Sequence, residues 1–261
     1  YPMTNTTVLN KAADNIRILA ASMVEKAKSG HPGGAMGGAD FVNTLFAEFL
    51  VYDPSDPKWI NRDRFFLDPG HMSPMLYSVL ALTGKFTLDE LKQFRQWGSP
   101  TPGHPEVDVM RGIENTSGPL GQAHKTYAFI SDGGIQEEIS QGAGRIAGYL
   151  GLNNLIMFYD SNDIQLSTDT NAVTKEDTAA KYRAWGWNVL EINGNDAEAI
   201  RGALIEAGQE QSRPTLIIGK TIMGKGVVTE EGQSYEGKCS THGQPLSAAG
   251  ASFAKTIAHL G

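Results

Sequence analysis

The chain of 261 residues carries 22 basic and 29 acidic side chains, a formal charge of −7, and is 40% hydrophobic and 20% charged. That supplies one large α/β core or two small ones, which excludes disorder as the main state, and the acidic balance excludes a sequence-independent nucleic-acid binder. The single cysteine, Cys239, allows no internal disulfide and no Cys-based zinc site, and no apolar stretch approaches the roughly 20 residues that span a bilayer, so an intracellular, cytoplasmic protein without a membrane contact is expected.

In chain order, Val8 to Lys28 reads as a helix, with Ile16, Leu19, Ala20, Met23, Val24 and Ala27 on one face. Ser29 to Gly34 ends it through its Gly and Pro residues, and a second helix is expected over Asp40–Leu50. A polar segment from Tyr52 to Arg62 leads to a short strand, Arg64–Leu67, then to helices over Pro74–Leu82 and Leu88–Gln96 and a Gly/Pro/Ser-rich loop over Ser99–Gly121. Beyond it strands and helices alternate. Strands are expected over Tyr127–Ile130, Leu155–Tyr159, Asn188–Ile192 and Thr215–Lys220, and helices over Ile135–Tyr149, Thr178–Trp185 and Ala197–Glu210. A Gly-rich loop over Met223–Pro245 and a last helix over Ala248–His259 complete the chain. The pattern predicts an α/β fold, a mostly parallel sheet with helices on both faces, as a single domain over 1–261.

In such a sheet, ligands bind at the carboxyl ends of the strands. Two strand exits are polar there: Ser131-Asp132-Gly133-Gly134 and Asp160-Ser161-Asn162-Asp163. The first leads into a helix, whose N-terminus attracts phosphate, and Gly133 and Gly134 allow close backbone approach. A carboxylate from one exit and an amide oxygen from the other make a hard-oxygen pair of the kind Mg²⁺ takes alongside a diphosphate. The same residues also serve as ordinary turn and capping signals. Of six histidines, His31, His71, His104 and His242 lie beside glycines in loops, where imidazoles meet ligands rather than pack in a core. A zinc cluster is disfavoured because no HxH or HxxxH pair occurs. Gly142-Ala143-Gly144 lies inside a helix and so is no dinucleotide turn, and Trp185 and Trp187 read as core or interface anchors.

These blocks resemble the transketolase family of thiamine diphosphate enzymes, over its N-terminal third. The similarity rests on Arg17-Ile18-Leu19-Ala20-Ala21-Ser22, Ser29-Gly30-His31-Pro32-Gly33-Gly34-Ala35-Met36-Gly37, and Pro102-Gly103-His104-Pro105-Glu106. It rests further on Gly118-Pro119-Leu120-Gly121-Gln122, Asp132-Gly133 with Asn162 thirty positions on, and Ser240-Thr241-His242-Gly243. Ser131 stands where the family's motif begins with Gly. The resemblance implies the thiamine diphosphate-binding fold and an enzyme of the pentose phosphate pathway. Such an enzyme moves a two-carbon ketol unit from a ketose phosphate to an aldose phosphate. It also implies roles: Asp132, Asn162 and the Ile164 carbonyl would hold Mg²⁺, with Ca²⁺ as a substitute. Gly133, His71 and His242 would meet the diphosphate, and Gly118, Pro119 and Leu120 would line the cofactor site. His31, His104 and His242 would hold substrate hydroxyls and move protons. Glu137 matches a family glutamate of the cofactor and interface region, beside the alternative of a solvated carboxylate in a first helical turn.

Two departures limit the resemblance. The family's pyrimidine-binding and C-terminal domains are absent from this chain, so a homodimer or a partner chain with the pyrimidine-binding half is expected. The family also carries a helix between the Gly-Pro-Leu-Gly-Gln loop and the next strand, where this chain has only Ala123-His124-Lys125-Thr126 between Gln122 and Tyr127. Its loss is expected to expose apolar surface around Leu120 and Phe129. The alternatives are a non-catalytic diphosphate-binding relative acting through a partner, and a related thiamine enzyme such as a dihydroxyacetone synthase.

Overall fold

The computed structural model describes residues 4–114, 124–165 and 168–261. It opens with α1 (Thr6–Ala27), where the Asn5 side chain accepts from the Thr7 N–H, and Lys28 closes the helix in the left-handed region. α2 (Pro32–Gly37) and α3 (Ala39–Thr44) follow, α3 running on as a π-helical turn over Leu45–Phe49. Next come β1 (Arg64–Leu67), α4 (Ser73–Leu82), α5 (Leu88–Leu91) with a Thr87/Glu90 capping box, and β2 (Thr126–Ser131). α6 (Glu138–Leu150), β3 (Leu155–Ser161) and a small hairpin of β4 (Ile164–Gln165) and β5 (Thr168–Asp169) lead to α7 (Thr178–Ala184). β6 (Asn188–Asn193), α8 (Ala197–Gln209), β7 (Thr215–Lys220), α9 (Leu246–Ala249) and α10 (Phe253–Leu260) complete the order. The Asp177, Asp196 and Ser252 side chains cap α7, α8 and α10 by accepting from first-turn N–H groups.

Several expected boundaries shift. Pro32-Gly33-Gly34 is the first turn of α2 rather than part of a break, because Pro is favoured at the first helical position, where its missing N–H costs nothing. Gly33 is required there: a Cβ would stand 2.6 Å from the Thr241 carbonyl oxygen. The helix expected over Leu88–Gln96 ends at Leu91, and the one expected over Ile135–Tyr149 starts as a separate 3₁₀ turn, Gly134–Gln136. The last helix is two, divided at Gly250, whose φ is +94°. The β4–β5 hairpin had no signal strong enough to separate it from a loop.

The main sheet has five parallel strands in the order β1-β2-β3-β7-β6. One face carries the larger core. There Phe65, Tyr127 and Ile156 form one buried row across β1, β2 and β3, and Leu67, Phe129 and Phe158 form the next. α1, α3, α4 and α8 cover them. Phe158 stacks on Phe41 with ring centroids 3.9 Å apart. The other face packs Ile130, Tyr159, Leu216 and Ile218 under α6 and α7, with Tyr182 and Trp187 between. Trp187 is buried and donates to the Gly144 carbonyl at 2.8 Å, as a core anchor should. The expected exposure around Phe129 does not occur: that ring is fully buried, because it points to the α1 face, which α4 closes. Leu120, named with it, lies outside the described residues. Among the described residues no helix is long and apolar enough to cross a membrane.

Candidate functional site

Polar residues gather where β1, β2 and β3 end. A cavity of about 410 Å³ opens there, lined by His31, Gly34, His71, Met72, His104, Ser131, Asp132, Gly133, Asn162, Ile164, Gln165, Met223 and His242. His31 sits at the start of α2, His71 in the 3₁₀ turn after β1, and Asp132 directly after β2. Asn162 follows β3, and His242 follows the 3₁₀ turn Cys239–Thr241. The rings of His31, His71 and His242 form a triangle, with centroids 5.0, 5.6 and 5.3 Å apart. His104 is held alongside by its loop: Ser73 Oγ donates to the Gly103 carbonyl at 2.6 Å, and Tyr77 Oη to the Pro102 carbonyl at 2.9 Å. Met223 is fixed from the opposite side. Its loop is tied down by Lys225, which donates to Asp40 at 2.9 Å, and by the Gly224 N–H, which donates to the Gly33 carbonyl.

The carboxylate end is built as a chain of hydrogen bonds. Tyr159 Oη donates to Asp132 Oδ1 at 2.5 Å, and the Asn162 N–H donates to Asp132 Oδ2 at 3.3 Å. Asn162 Nδ2 donates to Asp160 at 3.0 Å, while its Oδ1 accepts from the Ile164 N–H. Thr221 donates its hydroxyl to the other Asp160 oxygen. Burial pushes the Asp132 carboxyl up to about 6 and the Asp160 carboxyl up to about 7. Two buried carboxyls with only neutral donors are short of positive charge, which is what a divalent cation supplies. The oxygens offered by Asp132, Asn162 and Ile164 suit Mg²⁺ or Ca²⁺. The histidine end fits an organic diphosphate: the Nδ1 atoms of His31 and His242 are buried without a hydrogen-bond partner, and a Cβ at Gly133 would meet open space. The residues present therefore fit both halves of the expected ligand.

The sequence-predicted residues His31, His71, His104, Asp132, Gly133, Asn162, Ile164 and His242 thus share one cavity. Glu137 does not line it; exposed at the start of α6, it acts on Asp68, whose carboxyl it helps to raise after burial. Gly118, Pro119 and Leu120 lie outside the described residues. Met72, Met223 and Gln165 were not anticipated, since nothing in an isolated Met or Gln marks a lining position. Arg95 was missed too: it does not line the cavity, but held by its 2.6 Å donation to Ser29 it adds its charge to the effects that lower His31.

Burial, and then the neighbouring imidazoles, pull His31 down to about 4 and His71 to about 3, and burial lowers His242 as well. These rings are neutral at neutral pH. Folded, His31 and His71 bind protons less readily than in the unfolded chain, where the ordinary value is 6.5, so the stability they contribute is complete above that value and falls as pH drops toward about 4. Asp132 and Asp160 act oppositely, retaining protons when folded at pH values where the unfolded chain has released them. The His71→Gln variant is therefore expected to gain melting temperature relative to the parent as pH falls from 6.5 to 4. Parallel melting curves for the two proteins across that range would contradict the assignment.

The described geometry agrees with the comparisons to known proteins. The family model for the transketolase thiamine diphosphate binding domain matches residues 8–123 and 123–261. Transketolase of Geobacillus stearothermophilus is 42% identical over 273 aligned positions, covering 94% of this chain and 40% of that protein, and transketolase 2 of Escherichia coli is 41% identical over 90% of this chain and 39% of its own length. Among solved structures, transketolase from Leishmania mexicana superposes with a TM-score of 0.84 at 34% identity, over 99% of this chain and 45% of that one. A Pichia stipitis transketolase solved with sedoheptulose 7-phosphate gives 0.84 at 35% identity, over 97% and 43%. The chain spans about 40% of the length of the curated relatives it matches. With a sheet order, a histidine triangle and a carboxylate–amide pair at the expected strand ends, this chain belongs to the transketolase thiamine diphosphate-binding domain family.

Proposed function

We propose that this chain forms the diphosphate-binding half of a transketolase active site and works in the cytoplasm on sugar phosphates. Its single described domain would hold thiamine diphosphate and Mg²⁺, and polypeptide outside these 261 residues, in a partner chain or a homodimer, would supply the pyrimidine-binding half. The observation that carries this reading is the meeting of His31, His71, His104 and His242 with Asp132, Asn162 and Ile164 in one cavity at the strand ends. When bound, thiamine diphosphate supplies the nucleophilic carbon that takes up a two-carbon ketol unit from a ketose phosphate and passes it to an aldose phosphate.

The protein's own residues do the rest. Asp132 and the Asn162 and Ile164 oxygens hold the cation, and through it the diphosphate. Gly133 leaves room for the diphosphate against the backbone, and His71 and His242 donate to it. His31, His104 and His242 face the substrate side, where a neutral imidazole both donates to and accepts from a sugar hydroxyl. The free Nδ1 atoms of His31 and His242 are the positions at which a hydroxyl proton is taken and returned. Met72 and Met223 exclude water from that end.

Titration calorimetry with Mg²⁺ and thiamine diphosphate tests the cofactor role directly. Ketol transfer is then measured after adding a polypeptide that carries the pyrimidine-binding half of a relative. His31→Ala and His104→Ala are expected to retain cofactor binding and lose transfer by about 100-fold or more. Variants that transfer as well as the parent would leave a diphosphate-binding protein whose histidines have no catalytic task.

A further inference from the structure

Asp160 lies near the end of β3, opposite Gly219 of β7. It is fully buried and is not among the residues that line the cavity. Both of its carboxylate oxygens are engaged: one accepts from Asn162 Nδ2 at 3.0 Å, and the other from the Thr221 hydroxyl. It is therefore no cation ligand itself. A carboxylate sealed from water among neutral donors costs stability, and an apolar side chain of similar size would avoid that cost. Such a group is kept where its hydrogen bonds do something else.

Its two partners are themselves held. Thr221 directly follows β7, and its N–H donates to the Ser161 carbonyl at 3.3 Å, which joins the ends of the two strands. The Thr221 methyl packs so closely on Gly194 that a Cβ there would stand 2.7 Å from it, and the hydroxyl turns to Asp160. Asn162 is caught between opposite kinds of partner. Its Nδ2 meets a carboxylate, which accepts, and its Oδ1 meets the Ile164 N–H at 3.1 Å, which donates. That pairing sets the amide's orientation. The nitrogen faces the protein, and the oxygen keeps a second lone pair for the cavity that Asn162 lines. The preceding residue serves the other proposed side-chain ligand in the same way, since Tyr159 Oη donates to Asp132 at 2.5 Å. β3 thus reaches Asp132 with one side chain and Asn162 with the next.

We propose that Asp160, anchored by Thr221, is the positioning residue for Asn162, turning its amide so that the oxygen rather than the nitrogen is offered to the cation. This rests on the reading of Asp132, Asn162 and Ile164 as cation ligands. A turned-over amide would present N–H donors where a hard cation needs an oxygen acceptor. Groups that orient a metal ligand are worth about 10- to 100-fold in affinity, which sets the size of the effect expected here.

NMR of the asparagine side-chain amides in the ligand-free protein tests the orientation, with N162S identifying the Asn162 signal. In the parent its Nδ2 protons are expected to exchange slowly with water, as donors to a buried carboxylate do. In D160V that exchange is expected to quicken by about tenfold or more, and in D160N to stay slow. Titration calorimetry with Mg²⁺ and thiamine diphosphate on the same proteins is expected to show D160V binding about 10- to 100-fold more weakly. D160N is expected to recover most of that loss, because its amide keeps an acceptor for Asn162 Nδ2 and gives Thr221 a donor. T221V keeps the carboxylate but frees one of its oxygens; it keeps the test open if D160V does not fold, and is expected to fall between parent and D160V. Binding by D160V as tight as the parent's, or by D160N as weak as that of D160V, overturns the proposal. A parent that binds neither ligand defeats the cation reading, whereas slow exchange retained in D160V defeats the positioning of Asn162, so the two failures are told apart.

Discussion

Asp132→Asn is expected to weaken the joint binding of Mg²⁺ and thiamine diphosphate by about 100-fold or more, while raising the melting temperature of the ligand-free protein. Changes to groups that merely orient a metal ligand cost about 10- to 100-fold in affinity, and Asp132 is the one carboxylate among the three proposed ligands. An amide keeps one oxygen for the Tyr159 hydroxyl and gives up only the longer, 3.3 Å bond from the Asn162 N–H, which runs to the other carboxylate oxygen. What disappears is a buried charge, which burial already disfavours strongly enough to lift its carboxyl to about 6. The two effects have opposite signs because the site is arranged for a cation rather than for itself. Titration calorimetry and thermal melting on the same preparation measure both. Unchanged affinity would remove Asp132 from the ligand set, and lower thermal stability would show that its charge is satisfied within the protein.

Phe158→Ala is expected to destabilise the domain by about 3–5 kcal/mol, the range for deleting a large ring from a core that cannot collapse around the void. Phe158 lies at the centre of the sheet on β3, stacks on Phe41 and contacts Phe129 at 5.4 Å between ring centroids. No larger neighbour can move in, since β2 and β7 hold their positions by ladder hydrogen bonds on either side. Chemical denaturation measures the loss. A cost below about 1 kcal/mol would mean that Phe41 and Phe129 close the gap, contrary to the close packing described.

How far the sequence could be read depended on how local the information was. Strands such as Leu155–Ser161 announce themselves as short apolar runs, and capped helices such as Ala197–Gln209 by period and an Asp at the N-cap. The site was legible because Asp132, Asn162 and the loop histidines are chemically unusual where they stand. What stayed hidden was set by distant contacts. Pro32-Gly33-Gly34 becomes helical because Thr241 and Met223 pack against it, and nothing within that segment says so. Phe129 looks exposed when its own segment is read alone, and only the sheet order and the helices over its face show that it is buried. Glu137 fits a spacing but is not among the residues that line the cavity, and its charge acts on Asp68 instead.

The cavity has walls from both ends of the chain, and this carries a consequence for the order of events during synthesis. His31 and Gly34 belong to an early helix, His242 to a late turn, and the Gly224 N–H closes on the Gly33 carbonyl between them. Contacts so far apart in sequence form only after long loops have closed. A nascent chain can fold α1 and the first strands while it emerges, yet the cavity is not complete until residue 242 has left the ribosome. A ligand of this cavity therefore cannot guide early folding, and meets only molecules in which both walls are already in place.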